Sequence, residues 1–403
     1  MAGRAIVSGG SIGGLFAAAM LRNAGWDVVV VERSPVELAG RGAGIVTHDL
    51  LNDLIVKAGA TLDELGVHVE KRVAFDLDGG AVRVTDHPQI VTSWDRVHSI
   101  LRQLVPQGGY RLGVAVSGYR DLGDRVAVET AGHGTLEADI VVGADGFRSA
   151  VRAAMLPQVQ PRFAGYVVWR ALAHEADLPA EVRRSVFDHF GFFLPSGTQI
   201  IGYPIAGPGN DLRPGHRRYN FVWYAPVAAG GLDDMLTDAD GVRHELSIPP
   251  PLVRREVLDQ MQAFAAAHLP GPFLEILARS ERPFFTPIYD HCAPVFAKGR
   301  AALSGDAACV ARPHVGMGVT KAACDADALA RHLAGGSVAD GLQAYSAERE
   351  PQSRIAHDLA QRLGALIFAQ PAGGANRDGR SNPDIGFIME NTAVVPSLRA
   401  DAA

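Results

Sequence analysis

The sequence predicts an α/β fold: a Rossmann-like nucleotide-binding domain, interrupted by an inserted antiparallel β-sheet domain and followed by a C-terminal helix. Three observations predict it. A short apolar run over residues 5–8 leads into GGSIGG (9–14), a helical stretch over 12–24 that stops at Gly25, and the apolar run DVVVVE (27–32), which is the pattern of a βαβ unit. Between 165 and 224 the character changes to short aromatic and β-branched runs, GYVVWRA, FGFFL, QIIGY and YNFVWY, separated by Pro/Gly turns as in an antiparallel sheet. After Pro283 the strand-then-helix pattern returns, with a strand over 301–304 and a helix from 318 to 333.

The remaining elements fall between these anchors. Helical spacing recurs over 50–58 and 94–105, and apolar alternation over 126–129 and 136–142. A Pro- and charge-rich stretch over 247–255 precedes a helix over 256–269, and 348–368 is helical. The nucleotide-binding domain is therefore expected to be discontinuous, made of 1–70, 91–162 and 284–340. The sheet domain takes 71–90 and 163–283, and 341–403 forms the helix and a tail. From Pro371 that Gly/Asn/Pro-rich tail reads as loop or as an arm that contacts a second copy in a homodimer.

At 403 residues the chain fits about two domains of ~100–200 residues each. Hydrophobic residues are 47% and charged residues 20%, as in a well-packed globule. A net charge of −6 with interspersed signs leaves no basic stripe, which argues against nucleic acid or an anionic membrane as partner and for a small molecule. The apolar stretch 12–21 is cut by Gly13 and Gly14 and falls short of the ~20 residues of a spanning helix. The first residues run straight into the strand at Ala5 without a signal-peptide pattern, so the expected compartment is the cytoplasm. Cys292, Cys309 and Cys324 are odd in number and lack CxxC spacing, and so read as reduced packing thiols with no disulfide frame and no metal site.

Three motifs carry the chemistry: GGSIGG (9–14), GADGFRSAVR (143–152) and GDAACVARPHVGMG (305–318). Any one alone is weak, but three in this order point to one flavin site. Gly9 and Gly14 permit a sharp turn and close helix approach, so that free N–H groups and the helix dipole face a pyrophosphate. Ser11 stands at the middle glycine position and must avoid the phosphates or donate to one. Glu32 ends the second strand, where a carboxylate takes the ribose hydroxyls of an adenosine. Asp145 and Gly146 turn the chain before a helix carrying Arg148 and Arg152, a second wall of the nucleotide site. Asp306 is placed to accept from a ribityl hydroxyl, and 313–318 turns into a helix N-terminus that favours negative charge on a reduced isoalloxazine ring.

On these motifs the chain resembles the single-component FAD-dependent aromatic hydroxylases, the para-hydroxybenzoate hydroxylase family. The strings GYVVWR, NFVWY and GDAAxxxRPH are most similar to its 2,6-dihydroxypyridine 3-hydroxylase branch. The resemblance spans about residues 6–333. It implies a bound FAD reduced by NAD(P)H under substrate stimulation, without a second dinucleotide domain. It implies a flavin C4a-hydroperoxide formed with O2 and transfer of its distal oxygen to an electron-rich ring, most simply a hydroxypyridine. It further assigns Gly9, Ser11, Ile12, Gly14, Glu32 and Arg33 to the adenosine and pyrophosphate, with Asp145 nearby and Asp306 at the ribityl chain. Pro313, Gly316, Gly318 and Val319 line the ring, Arg41 contacts phosphate, and Gly44 and Ile45 pass the ring. Two departures stand out: Trp94 replaces a common Arg or Gln, and Thr320 a common Asn.

For the chemistry at the substrate, His48 and His314 are the expected proton acceptors, each weighed against a structural role. Tyr203 and Tyr224 are expected to hydrogen-bond a heteroaromatic ring, with Trp169, Phe193 and Trp223 packing against it; an aromatic stripe on a sheet is more often core, so only one or two of these five are expected to touch substrate. Arg170 reads first as an edge-strand ion pair and second as a partner for a substrate oxyanion or carboxylate. Cys309 is expected to pack. The competing readings are an FAD epoxidase or tailoring oxygenase for a larger substrate, and a non-enzymatic flavin-binding sensor. The halogenase motif WxWxIP is absent, and a plain NAD dehydrogenase would leave the second and third motifs without a role.

Overall fold

The apolar runs at 5–8 and 27–32 pair as neighbours in a six-stranded sheet, seen in a computed structural model that describes residues 3–38, 44–368 and 384–395. Strand Arg4–Ser8 lies between Asp27–Glu32 and Ile140–Gly143, parallel to both. Ala301–Leu303 extends the parallel set on one side and Tyr110–Leu112 on the other, and the short strand Ala297–Lys298 closes one edge antiparallel. These strands read as continuous apolar runs because helices cover them, and helix Ile12–Asn23 is buried almost throughout its first ten residues. It packs against helix Gly318–His332, which brings the first and third motifs together.

The second sheet has nine strands, with Arg162–His174 between Arg218–Pro226 and Glu281–Cys292, followed outward by Gln199–Ile205, His189–Phe193, Val67–Phe75 and Ala81–Ser93. Its pairings are antiparallel with one exception: Val67–Phe75 runs parallel to His189–Phe193. That strand arrives by a long crossover rather than a hairpin, which allows parallel pairing and which local patterning does not reveal. Gly44–Val46 and Cys309–Val310 join the edges of this sheet and tie it to the flavin-motif segments.

The pleat sends alternate residues to opposite faces. Trp169, Phe193, Phe221 and Trp223 point to the back, where helices Arg255–His268 and Gly271–Ala278 cover them. Trp169, Phe193 and Trp223 thus take the core role rather than the ligand contact expected of one or two of the aromatics. Tyr166, Val168, Phe190, Tyr203, Val222 and Tyr224 occupy the front.

Helix Val338–Phe368 starts ten residues before the expected 348. Ser337 caps it, accepting the Asp340 N–H at 3.1 Å and donating to the Asp340 carboxylate at 2.7 Å. Of the tail, helix Ile385–Asn391 packs Ile388 and Met389 into the core on the front of the chain's own second sheet, where a loop or partner-contact arm was expected. Residues 369–383 lie outside the described residues. No helix among the described residues is long and apolar enough to cross a membrane.

Candidate active site

The glycine turn is built so tightly that side chains cannot enter it. A Cβ on Gly9, whose φ is +108°, would lie 2.3 Å from the Ala144 carbonyl oxygen, and one on Gly14 would lie 1.9 Å from that of Gly9. Ser11 precedes helix Ile12–Asn23 without capping it through its side chain. The helix N-terminus therefore keeps unpaired N–H groups and its positive end toward a groove of about 420 Å³. Gly9, Ser11, Ile12, Glu32, Arg33 and Asp145 line the groove, while Gly14 backs the turn. Glu32 also braces the turn, accepting the N–H groups of Gly10 and Ser34 at 2.8 Å each. Each carboxylate oxygen keeps a second lone pair for a ribose hydroxyl. Trp94 lines the groove too, stacked at 4.5 Å on His98, whose Nε2 is 3.2 Å from the Gly10 carbonyl. Through His98 this flat ring supports the turn.

The second motif forms the facing wall. One Asp145 oxygen accepts the Ala150 N–H at 2.8 Å, and the other is buried without a partner among the described residues. Burial raises this carboxyl above the ordinary range. Arg152 turns inward to the carbonyls of Phe147 and Ala307 and so links the second motif to the third.

Beneath the third motif lies an ion network that sequence reading missed. Asp325, fully buried, accepts the Gly305 N–H at 2.9 Å and Arg349 Nε at 2.8 Å, with Lys321 Nζ 3.6 Å away and donating to the Gly305 carbonyl at 2.7 Å. The spacing of Lys321 and Asp325, four apart on an otherwise apolar helix face, was the available signal. The network fixes the turn that presents Asp306, which is exposed into the groove though ringed by protein. That confinement, more than its neighbours' charges, raises its carboxyl above the usual range.

The groove continues into a cavity of about 340 Å³ on the front of the second sheet, with Phe147, Asp306, Gly318 and Val319 shared by both. Gly44, Ile45, Pro313 and Gly316 line this cavity; Arg41 lies outside the described residues. A Cβ on Gly318 would meet no protein atom within 4 Å, so nothing in the chain's own packing calls for glycine there. An open glycine at a helix start, a turn no side chain can enter, a strand-end carboxylate and a two-chambered cleft fit FAD, whose adenosine would lie toward Glu32 and whose ring would lie in the second chamber, toward Gly318.

Tyr203 and Tyr224 line the ring chamber, and neither hydroxyl has a hydrogen-bond partner among the described residues. Burial raises both phenols, Tyr224 to about 12 and Tyr203 further, so both are neutral donors near pH 7. Phe190 stacks on Tyr203 with ring centroids 5.0 Å apart. Thr392 and Ala393 complete the wall, held by the buried Arg72, which donates to the carbonyls of Met389 (2.6 Å), Thr392 (2.7 Å) and Ala393 (3.1 Å). Neither Arg72 nor this wall was foreseen, since contacts more than 300 positions apart leave no local pattern.

The two histidines are placed unlike two bases. His314 lines the cavity fully buried, with Nδ1 2.8 Å from Gln199 Oε1 and Nε2 2.8 Å from the Tyr166 hydroxyl. Because Gln199 Oε1 only accepts, Nδ1 carries the proton and Nε2 accepts from Tyr166. Both nitrogens are engaged, and burial lowers its pKa to about 3. His48 lines neither chamber: it precedes helix Asp49–Ala58 without capping it through its side chain, with Nδ1 3.1 Å from Thr320 Oγ1, and burial lowers its pKa to about 4. Cys309 is buried in the core, as expected.

A family model described as "FAD binding domain-like" matches residues 163–290. The chain is 35% identical over 329 residues to 2,6-dihydroxypyridine 3-monooxygenase of Paenarthrobacter nicotinovorans, covering 81% of this chain and 82% of that one. It is 31% identical to aurachin C monooxygenase/isomerase of Stigmatella aurantiaca, covering 81% and 80%. Among solved structures, 2,6-dihydroxypyridine-3-hydroxylase from Arthrobacter nicotinovorans superposes with a TM-score of 0.86 at 31% identity, over 94% of this chain and 97% of that one.

Proposed function

Because the chain belongs to the FAD-dependent aromatic hydroxylases, monooxygenases that use NAD(P)H and O2, we propose that its own reaction is hydroxylation of a small N-heteroaromatic ring, a hydroxypyridine in the first instance. The observation that carries this is the ring chamber. The chamber, of about 340 Å³ and lined by Phe190, Tyr203, Val222, Tyr224, Thr392 and Ala393, would take a small ring beside the flavin. The named activities of the 35% identical relative and of the superposing structure support the pyridine class.

FAD, when bound, supplies the reducible centre that takes hydride equivalents from NAD(P)H and passes one oxygen atom of O2 to the ring. Gly9, Ser11 and Glu32 would hold its adenosine diphosphate, Asp306 its ribityl chain, and Gly44, Gly316, Gly318 and Val319 its ring. The protein's own contribution is position and dryness. Phe190, Val222 and Ile288 exclude water, and the neutral phenols of Tyr203 and Tyr224 donate hydrogen bonds to ring substituents. His314 is a positioning residue in this reading. Its neutral ring, fixed by Gln199 and Tyr166, lies 4.4 Å from the Tyr224 ring and holds it. Neither His314 nor His48 is assigned as the proton acceptor.

The test is NAD(P)H oxidation and O2 uptake by the purified holoenzyme with hydroxypyridines, hydroxynicotinates and hydroxybenzoates. Stimulation by at least one pyridine well above the benzoates supports the proposal. Equal indifference to every ring compound would shift the reading to a larger substrate.

A further inference from the structure

Two thiols from distant stretches of the chain face each other where strand Glu281–Cys292 ends beside Cys309–Val310. Cys292 and Cys309 are register partners in an antiparallel pair. The Ala293 N–H donates to the Ala308 carbonyl at 2.9 Å, so the two cysteines form the pair that exchanges no backbone hydrogen bonds. Pairs of that kind are the close ones, with Cα atoms about 4.5 Å apart and side chains on one face, inside the ~4.4–6.8 Å that a disulfide spans. The two side chains are hydrogen-bonded to each other.

Their surroundings differ. Cys309 is fully buried against helix Val338–Phe368, with Sγ 3.7 Å from the Ser353 carbonyl oxygen. Donation to Cys292 and burial both hold its thiol above the ordinary range. Cys292 is half-buried at the strand end; the hydrogen bond from Cys309 lowers its pKa, with help from the Arg354 guanidinium and against burial. One thiol is therefore reachable and biased toward the thiolate, and the other keeps its proton. The pair also sits at a seam of the ring chamber: residues 286–289 line it from one strand, and Val310, Ala311 and Pro313 from the segment that begins at Cys309.

We propose that Cys292 and Cys309 are an oxidation site for hydroperoxides, and that the disulfide they form clamps these two wall segments together. The Cys292 thiolate attacks one oxygen of hydrogen peroxide; an S–O bond forms, the O–O bond breaks and hydroxide leaves, giving a sulfenic acid. Cys309 then attacks that sulfur; the S–S bond forms, the S–O bond breaks, and the departing hydroxide takes the Cys309 proton as water. The thiol pair loses two electrons and two protons in all, and the peroxide becomes two waters. An external dithiol reverses the step by exchange.

The experiment treats the FAD-loaded full chain, reduced beforehand, with about tenfold excess hydrogen peroxide, and follows thiols by differential alkylation and peptide mass. Wild type is expected to yield a peptide pair linked through Cys292 and Cys309, cleaved by dithiothreitol, while Cys324 stays alkylatable. Cys309→Ser is expected to stop at a sulfenic acid on Cys292 that dimedone traps, and Cys292→Ser to leave Cys309 reduced. No linked pair in the folded holoenzyme, or Cys324 oxidised as fast as Cys292, overturns the site. The clamp is read on the same samples: hydrogen exchange over 309–313 is expected to slow on oxidation, and flavin reduction by NAD(P)H to slow about threefold or more, both restored by dithiothreitol. A linked pair that leaves exchange and flavin reduction unchanged overturns the clamp.

Discussion

His314 shows how a residue with the right chemistry for a base is converted into a scaffold. Its two nitrogens are fixed by Gln199 and Tyr166, and burial holds it neutral with a pKa of about 3; His291, also buried, lies at about 3 and His48 at about 4. Each has a folded-state pKa below its unfolded value of about 6.5, so the unfolded chain binds protons first as the pH falls. Stability is thus complete above about pH 6.5 and declines towards pH 4 by about 1.4 kcal/mol per pH unit for each such histidine. Urea unfolding from pH 7.5 to 4.5 is expected to show this slope, and His314→Gln to flatten it by one histidine's share. An unchanged slope would mean that His314 titrates normally. His314 lies in the turn Pro313–Val315, but its partners come from strands 115 and 148 residues away, and no local pattern announces them.

At the scale of elements, the site depends on how helices start and where strands turn their faces. Gly318→Ala adds a methyl that meets no protein atom and replaces glycine at the start of a helix. The expectation is a flavin-free protein as stable as wild type or up to about 1 kcal/mol more so, with FAD affinity reduced at least tenfold. Thermal melts of apo- and holoprotein check this, and loss of apoprotein stability would contradict the ring-facing assignment. Gly14→Ala differs in kind, because its Cβ would fall 1.9 Å from the Gly9 carbonyl oxygen, and it should yield a destabilised, colourless protein. The wall formed by Thr392 and Ala393 hangs on Arg72, and Arg72→Met strands three buried carbonyls at a cost of about 2 kcal/mol or more. Hydrogen exchange over 385–393 should then rise and KM increase more than kcat falls. The βαβ unit and the antiparallel runs were legible because period and turn residues are local signals. The face taken by Trp169, Phe193 and Trp223 was not, because alternation says which residues share a face but not which face meets the flavin.

Over the whole molecule, a parallel sheet carrying the glycine turn and an antiparallel sheet carrying the tyrosines meet along one continuous cleft, and the three motifs converge on its first chamber. The cofactor half of this cleft was readable in advance because backbone geometry imposes glycine, a helix N-terminus and a strand-end carboxylate at fixed spacings. The substrate half was less so, since Arg72, Gln199 and the segment 392–393 reach it from distant parts of the chain. The reaction proposed for this cleft is transfer of an oxygen atom from O2 to a small N-heteroaromatic ring. The direct measurement is turnover of 2,6-dihydroxypyridine or 6-hydroxynicotinate under ¹⁸O2 with NADH or NADPH, with mass analysis of the product. One ¹⁸O on a ring carbon is expected, with NAD(P)H consumed in proportion to product; consumption that yields only hydrogen peroxide, with every pyridine recovered unchanged, would rule the reaction out.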